Sequence, residues 1–332
     1  MLKYSIKKGI EHYHFLLMMN ALLNPALMIF ISGIIIGSIF KDKSPSPIIS
    51  KYLGYYLLLG LGLKGGTSLK ETGFISEVTN VLSLGVFFAL LIPILSYLFL
   101  KNILNTDDAA ALAGTYGSVS AVTFVTANTY LLASNQVYDN YMSAVLVVME
   151  FPAIFMALYL VTHNSDAETS GKIETLKNAF FEIPNVILLT SLVFGYLVKF
   201  ENEVLLSFIT KDIFDWILII FLFVMGLRVS KRMSELSGKG SKLIAFALLT
   251  PITGSLLALA VSSYFGLTVG NTTLLMVLTA SASYIAVPAV VKDAIPNANP
   301  AIYLGLSLGV TFPFNVIFGI PLYNQLAIYF LS

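Results

Sequence analysis

The sequence predicts an all-α membrane protein of ten transmembrane helices, built as two inverted five-helix repeats with one helix of each half broken near the membrane midplane. Three observations lead there. Of 332 residues, 57% are hydrophobic and 11% charged, whereas soluble domains carry roughly 25% charged residues. The apolar residues are gathered into long runs. Val81–Leu100 carries no charge, and at ~1.5 Å rise per residue a run of this kind crosses a ~30 Å hydrocarbon layer. Finally, the breaker residues that punctuate the first half return in the same order in the second. The lack of cysteine excludes a disulfide framework, thiolate zinc sites and cysteine nucleophiles. A net charge of +1 leaves no basic tract for nucleic acid.

Hydropathy and breakers place the spans at 24–40, 50–67, 79–100, 109–133, 140–162, 184–200, 212–229, 242–265, 272–292 and 301–330. Residues 1–23 form an extracytoplasmic or interfacial segment, 24–162 the first repeat, 163–183 a cytoplasmic linker and 184–332 the inverted second repeat. The loops are short and rich in Pro and Asn, as in Ile295-Pro296-Asn297-Ala298-Asn299-Pro300. With the N-terminus outside, most Lys and Arg residues, Lys41, Lys43, Arg228, Arg232 and Lys239 among them, fall on the inner side. The positive-inside rule then puts both termini outside and the linker in the cytoplasm, against the pull of Lys3, Lys7 and Lys8.

The repeat is carried by five echoes. Asn24-Pro25 pairs with Ile183-Pro184, Gly62-Leu63-Lys64 with Gly226-Leu227-Arg228, and Leu91-Ile92-Pro93-Ile94 with Leu249-Thr250-Pro251-Ile252. Gly117-Ser118-Val119-Ser120 pairs with Ala282-Ser283-Tyr284-Ile285, and Phe151-Pro152 with Phe312-Pro313. All lie at offsets of 158 to 165 residues. An odd number of spans per half makes the second half inverted.

Spans four and nine change mid-way from apolar helix to runs of Gly, Ser, Thr and Ala. A bilayer tolerates such backbone only where protein or a cavity covers it. The second half-helices present opposed N-termini, each worth about 0.3–2 kcal/mol to an anion. Ser118, Ser120 and Thr123 on one side, and Ser281, Ser283 and Tyr284 on the other, offer hydroxyl groups. The plainer reading is that small residues merely let helices approach. Glu150 is the acidic residue of an otherwise apolar span and precedes Pro152. Intramembrane carboxylates are costly and usually functional, and the proline frees carbonyls that join the carboxylate around a sodium ion or a proton. Thr311, its repeat mate, and Asn315 one turn on are neutral oxygen ligands for the same ion. The alternative is a structural pair of Glu150 with Lys64 or Arg228, although snorkelling to headgroups accounts for both cations. Gly60-Leu61-Gly62-Leu63-Lys64-Gly65 satisfies a dinucleotide-binding pattern but lies inside a span with no strand before it. Gly33 and Gly37 form a G-x-x-x-G face for packing within or between subunits.

At Ala113-Gly114-Thr115-Tyr116-Gly117-Ser118-Val119-Ser120, Met149-Glu150-Phe151-Pro152-Ala153, Met225-Gly226-Leu227 and the 294–300 turn, the sequence resembles the cyanobacterial SbtA-type sodium-dependent bicarbonate transporters. The resemblance covers most of 24–330. It implies sodium–bicarbonate symport, a ten-helix fold whose two broken helices cross at the midplane, a homotrimer, and inhibition by a P-II-like cytoplasmic protein. It places the anion among Gly117, Ser118, Val119, Ser120, Ala121, Ser281, Ser283, Tyr284, Ile285 and Ala286, with sodium on backbone and hydroxyl oxygens nearby, where Thr123 joins Glu150 as a candidate ligand. Glu150 stands for an Asp of that pattern. Tyr284 stands where the pattern has an Asp, Ala121-Val122 replaces Gly-Ser, and Val287 replaces Gly, which narrows the site and removes one charge.

The expectation is therefore a secondary transporter of the bacterial inner membrane, with no enzymatic activity and no cofactor beyond a coupling sodium ion. Two other readings use the same residues. One keeps the fold and carries another small anion, or couples to protons. The other is a membrane sensor that docks a cytoplasmic regulator. No Ser-His pair or His-Glu-x-x-His motif lies in the spans to support an intramembrane enzyme.

Overall fold

Proline, serine, threonine and asparagine set where the helices begin. In the computed structural model, which describes residues 25–40, 46–163, 181–198, 203–235, 240–285, 287–288, 291 and 295–331, Ser46 caps α2 by accepting the Ile48 N–H at 3.3 Å, just before Pro47. Asn105 accepts from the Asp108 N–H at 2.8 Å, Thr268 from Asn271 at 3.3 Å, and Asn299 from Ala301 at 2.9 Å. Each cap satisfies one of the donors that a helix start leaves open. Gly266, at φ +66°, adopts the left-handed turn that stops the helix before it.

The helices are α1 (Pro25–Ile39), α2 (Pro47–Thr72), α3 (Ser76–Leu100), α4 (Thr106–Gly117), α5 (Ala121–Ala133), α6 (Met142–His163) and α7 (Ile183–Leu197). After them come α8 (Glu203–Ser207), α9 (Ile213–Glu235), α10 (Ser241–Phe265), α11 (Val269–Ala280), α12 (Pro300–Leu306), α13 (Phe312–Phe314) and α14 (Ile320–Leu331). π-helical turns at Phe208–Asp212, Ser307–Thr311 and Asn315–Gly319 join α8 to α9 and α12 through α14 into continuous rods. Among the described residues the secondary structure is helical throughout, without strands.

Among the described residues, six stretches are long and apolar enough to cross a membrane: Ser76–Leu100, Thr106–Ala133, Met142–Leu160, Phe208–Ser230, Ser241–Phe265 and Pro300–Leu331. Met28–Ile39, Ile183–Leu197 and Val269–Ala280 are shorter apolar helices. The expected second span lies within α2, whose 26 residues include Lys51, Lys64, Lys70 and Glu71. The 1–23 segment and most of the 163–183 linker lie outside the described residues.

Two pairs of helices pack through glycine. A Cβ on Gly33 of α1 would sit 3.1 Å from the Gly226 Cα of α9, and one on Gly226 would sit 2.9 Å from the Gly33 Cα. In α2 and α7, a Cβ on Gly66 would sit 2.7 Å from the Tyr196 N and one on Gly195 2.6 Å from the Leu63 O. The backbones touch because no side chain intervenes, so the Gly33–Gly37 face packs within the chain. Two helix starts hold facing loops. Asp108 at the start of α4 accepts the Asn299 N–H at 2.6 Å, and Asn271 at the start of α11 accepts the Asp139 N–H at 2.9 Å.

Candidate functional site

The two breaks meet. α4 stops at Gly117 and the chain runs extended through Ser118 (φ −90°, ψ 172°) before α5 begins. α11 stops at Ala280 with Ser281 in nearly the same conformation (φ −87°, ψ 165°). Gly117 closes against the Pro93 ring of α3, and a Cβ there would overlap that ring. The freed backbone groups pair across the gap: the Ser283 N–H donates to the Thr115 carbonyl at 2.8 Å and the Ser120 N–H to the Ser281 Oγ at 3.0 Å. This satisfies backbone that a bilayer interior leaves without water.

The hydroxyl groups divide into two sets. Ser281 Oγ accepts from Ser120 and donates to the Leu278 carbonyl at 2.9 Å, so both its functions are used. Thr123 is occupied too, its N–H and Oγ1 donating to Ser120 Oγ at 3.1 and 2.8 Å. Ser120 Oγ thus gathers two contacts from Thr123 and faces the Tyr284 hydroxyl. Ser283 Oγ accepts the Val287 N–H at 3.3 Å. The Tyr284 hydroxyl is buried and close to Ser120 without closing a hydrogen bond. Its ring is fixed edge-on against Phe312 at 5.3 Å.

Val119, Ser120, Ala121, Glu150, Ser283, Tyr284 and Ile285 line one small cavity, closed on the far side by Leu58 of α2 and by Pro184, Asn185 and Leu188 of α7. About 10 Å³ is open to the centre of a water-sized sphere, on the order of one water molecule. The N-termini of α5 and α7 both reach this space, through Ser120-Ala121 and Pro184-Asn185, and each adds partial positive charge. Glu150 is 3% exposed, and its Oε2 accepts a short hydrogen bond from Ser118 Oγ. Lys64 instead lies over the Phe214 ring, 4.8 Å from the centroid, and Arg228 Nη1 donates to Ser50 at 2.7 Å.

The structure thus gathers most of the expected anion residues, with Gly117, Ser118 and Ser281 framing the cavity rather than lining it. Ala286 lies outside the described residues. Of the expected sodium ligands, Glu150 lines the cavity and Thr123 stands behind it. Thr311 and Asn315 do not line it. Thr311 Oγ1 donates to the Ala247 carbonyl at 2.8 Å and meets the Tyr116 hydroxyl at 2.5 Å. Asn315 donates to the Ala280 carbonyl at 2.7 Å and accepts from Tyr323 at 2.8 Å. The far wall went unread in the sequence, because Leu58 and Leu188 look like any apolar span residue. Asn185, 1% exposed next to a helix-opening proline, was the available signal.

Residues 20–328 match the profile of the Na+-dependent bicarbonate transporter superfamily. The chain belongs to that superfamily. A comparison with curated proteins finds no match. As a member of the Na+-dependent bicarbonate transporter superfamily it is a multi-pass membrane protein of a transport family, not an enzyme family. The superfamily match spans both breaks, Glu150 and the opposing wall at α7.

Proposed function

We propose that this superfamily member is a sodium-coupled bicarbonate importer whose anion site is the cavity between the two breaks. The observation that carries this reading is the convergence of the α5 and α7 N-termini with the Ser120, Ser283 and Tyr284 hydroxyl groups on one buried space. Preorganised dipoles and donors in low dielectric favour a small monovalent anion. Glu150 supplies the opposite charge for sodium, with Thr123 as a neighbouring oxygen. Sodium at the carboxylate offsets its repulsion of the anion, which is a physical route to coupling. Thr311 and Asn315 join the sodium shell only by exchanging their present hydrogen bonds.

The same reading makes 24–162 and 184–332 inverted repeats of five spans, joined by the 163–183 linker, in the bacterial inner membrane with both termini outside. Exchange of partners between the halves supports it. Gly33 meets Gly226 while Gly195 meets α2 near Gly66, and Asp108 meets Asn299 while Asn271 meets Asp139. In the second case both residues move by 163 and 160 positions (271 − 108 and 299 − 139); in the first the same kind of helix pair recurs, with Gly195 meeting Leu63 rather than Gly62. A homotrimer and a P-II-like regulator enter through the SbtA-type resemblance. With α1, α2, α7 and α9 as one body, rocking it against the broken-helix body withdraws Leu58 and Leu188 and opens the site.

The test is uptake of labelled bicarbonate into proteoliposomes under an inward sodium gradient. Accumulation that collapses when potassium replaces sodium supports the proposal. Uptake driven equally by a proton gradient supports proton coupling, and anion binding without flux supports the sensor.

A further inference from the structure

A second cavity of about 230 Å³ lies between α3 and α10, and no residue lines both it and the anion cavity. Its α3 wall is Ile92, Leu95, Ser96 and Phe99, and the α10 residues 158 positions further on, Thr250, Thr253, Gly254 and Leu257, line it from the other side. The same spacing separates Pro93 from Pro251. Each α3 residue at the cavity thus has its repeat mate at the cavity, which puts the cavity on the axis that relates the two halves. For inverted halves that axis lies in the membrane plane, at mid-depth.

Both walls belong to apolar helices long enough to cross a bilayer. At the rim Leu249 is 57% and Leu95 49% exposed, so the opening faces hydrocarbon. The depth is closed by buried Phe246, whose ring stacks on Phe99 at 5.9 Å and meets Tyr116 of α4 at 4.9 Å. None of the lining residues is charged, and Thr253 turns its hydroxyl to the Leu249 and Thr250 carbonyls of its own helix. Apolar cavities of about 150 Å³ stay dry and take a benzene-sized guest, and a void forfeits the dispersion contacts of its lining. The same walls brace the breaks. Pro93, next to Ile92, packs on Gly117 where α4 stops. Gly254 lies against the last turn of α11, where Thr279 Oγ1 donates to its carbonyl at 3.2 Å and a Cβ would sit 2.5 Å from the Thr279 carbonyl oxygen.

We propose that this cavity is a lipid site, in which the end of a bilayer acyl chain lies between α3 and α10 and spaces the two helices that brace the broken ones. Its mid-depth placement rests on the inverted-repeat reading, whereas the apolar occupant follows from the membrane-spanning walls. A chain end suits the site and a headgroup does not, because the walls carry no charge and the opening lies half-way across the bilayer.

The experiment reconstitutes the full chain in phosphatidylcholine vesicles containing a phosphatidylcholine with a photoactivatable diazirine either at the chain terminus or beside the headgroup. Labelled peptides are mapped after illumination. The terminal probe is expected to mark the cavity residues at least about fivefold above Leu98 and Leu256, which are exposed on the same helices outside the cavity. Thr253→Phe fills the cavity from an exposed position and lowers this label by a similar factor, while Leu256→Phe leaves it unchanged. Uniform labelling of the lipid-facing surface overturns the site, as does label that survives in a folded Thr253→Phe. If that variant does not fold, the wild-type map decides. Label from the headgroup probe alone puts a lipid there but off mid-depth, and overturns the proposal through the repeat reading. A disulfide between protomers carrying Leu249→Cys, with no lipid label, makes the occupant a second copy of the chain and overturns the lipid.

Discussion

Tyr284 carries a hydroxyl that the protein does not use for its own packing. Replacing it by Phe removes a buried, unsatisfied group, which by itself raises stability by about 1 kcal/mol, and weakens the anion. Thermal unfolding of Tyr284→Phe is therefore expected at an unchanged or higher temperature, together with a several-fold higher half-saturation for bicarbonate. A lower unfolding temperature with unchanged half-saturation would make the hydroxyl structural. Gly117 behaves oppositely. A Cβ there overlaps the Pro93 ring, and Gly117→Ala should cost about 1–3 kcal/mol through overpacking, read as a lowered unfolding temperature. Glu150 was legible in the sequence because a lone carboxylate in an apolar span is conspicuous. Its bond to Ser118, 32 residues away, was not, since it depends on how two helices meet.

Among elements, the small polar runs marked where α4 and α11 end, at Gly117 and Ala280, because hydroxyl and glycine residues inside a span have few other uses. Their reciprocal edge contacts were hidden, because Asp108 and Asn271 look like ordinary helix-start residues. Asn271 also donates to Asp139 at 2.7 Å and to the Tyr141 hydroxyl at 2.9 Å, and Tyr141 donates to Glu77 at 2.8 Å. Asp108→Ala and Asn271→Ala should each cost about 2–3 kcal/mol, since each strands a backbone N–H of the facing loop. If the halves are true repeats the two losses are similar. A loss confined to one would argue against equivalence. The π-helical turns around Phe312 were invisible in the sequence, as they preserve the apolar pattern and only shift its register.

For the whole molecule, hydropathy carried the all-helical, membrane-spanning class, and the wall formed by α2 and α7 did not show because it is made of commonplace apolar residues. The native chain lacks cysteine, so orientation is testable with single introduced cysteines. A membrane-impermeant maleimide is expected to label Gln136→Cys in intact cells and Asn297→Cys only after permeabilisation, and the reverse pattern would invert the assignment. The central claim concerns where the anion sits. Its most direct test is a density map of the protein in sodium and bicarbonate, compared with one in potassium. The account predicts a planar density between Ser120 and Ser283, in contact with Tyr284 and Glu150, present only with sodium. An anion bound elsewhere, with this cavity unchanged between the two maps, would contradict it.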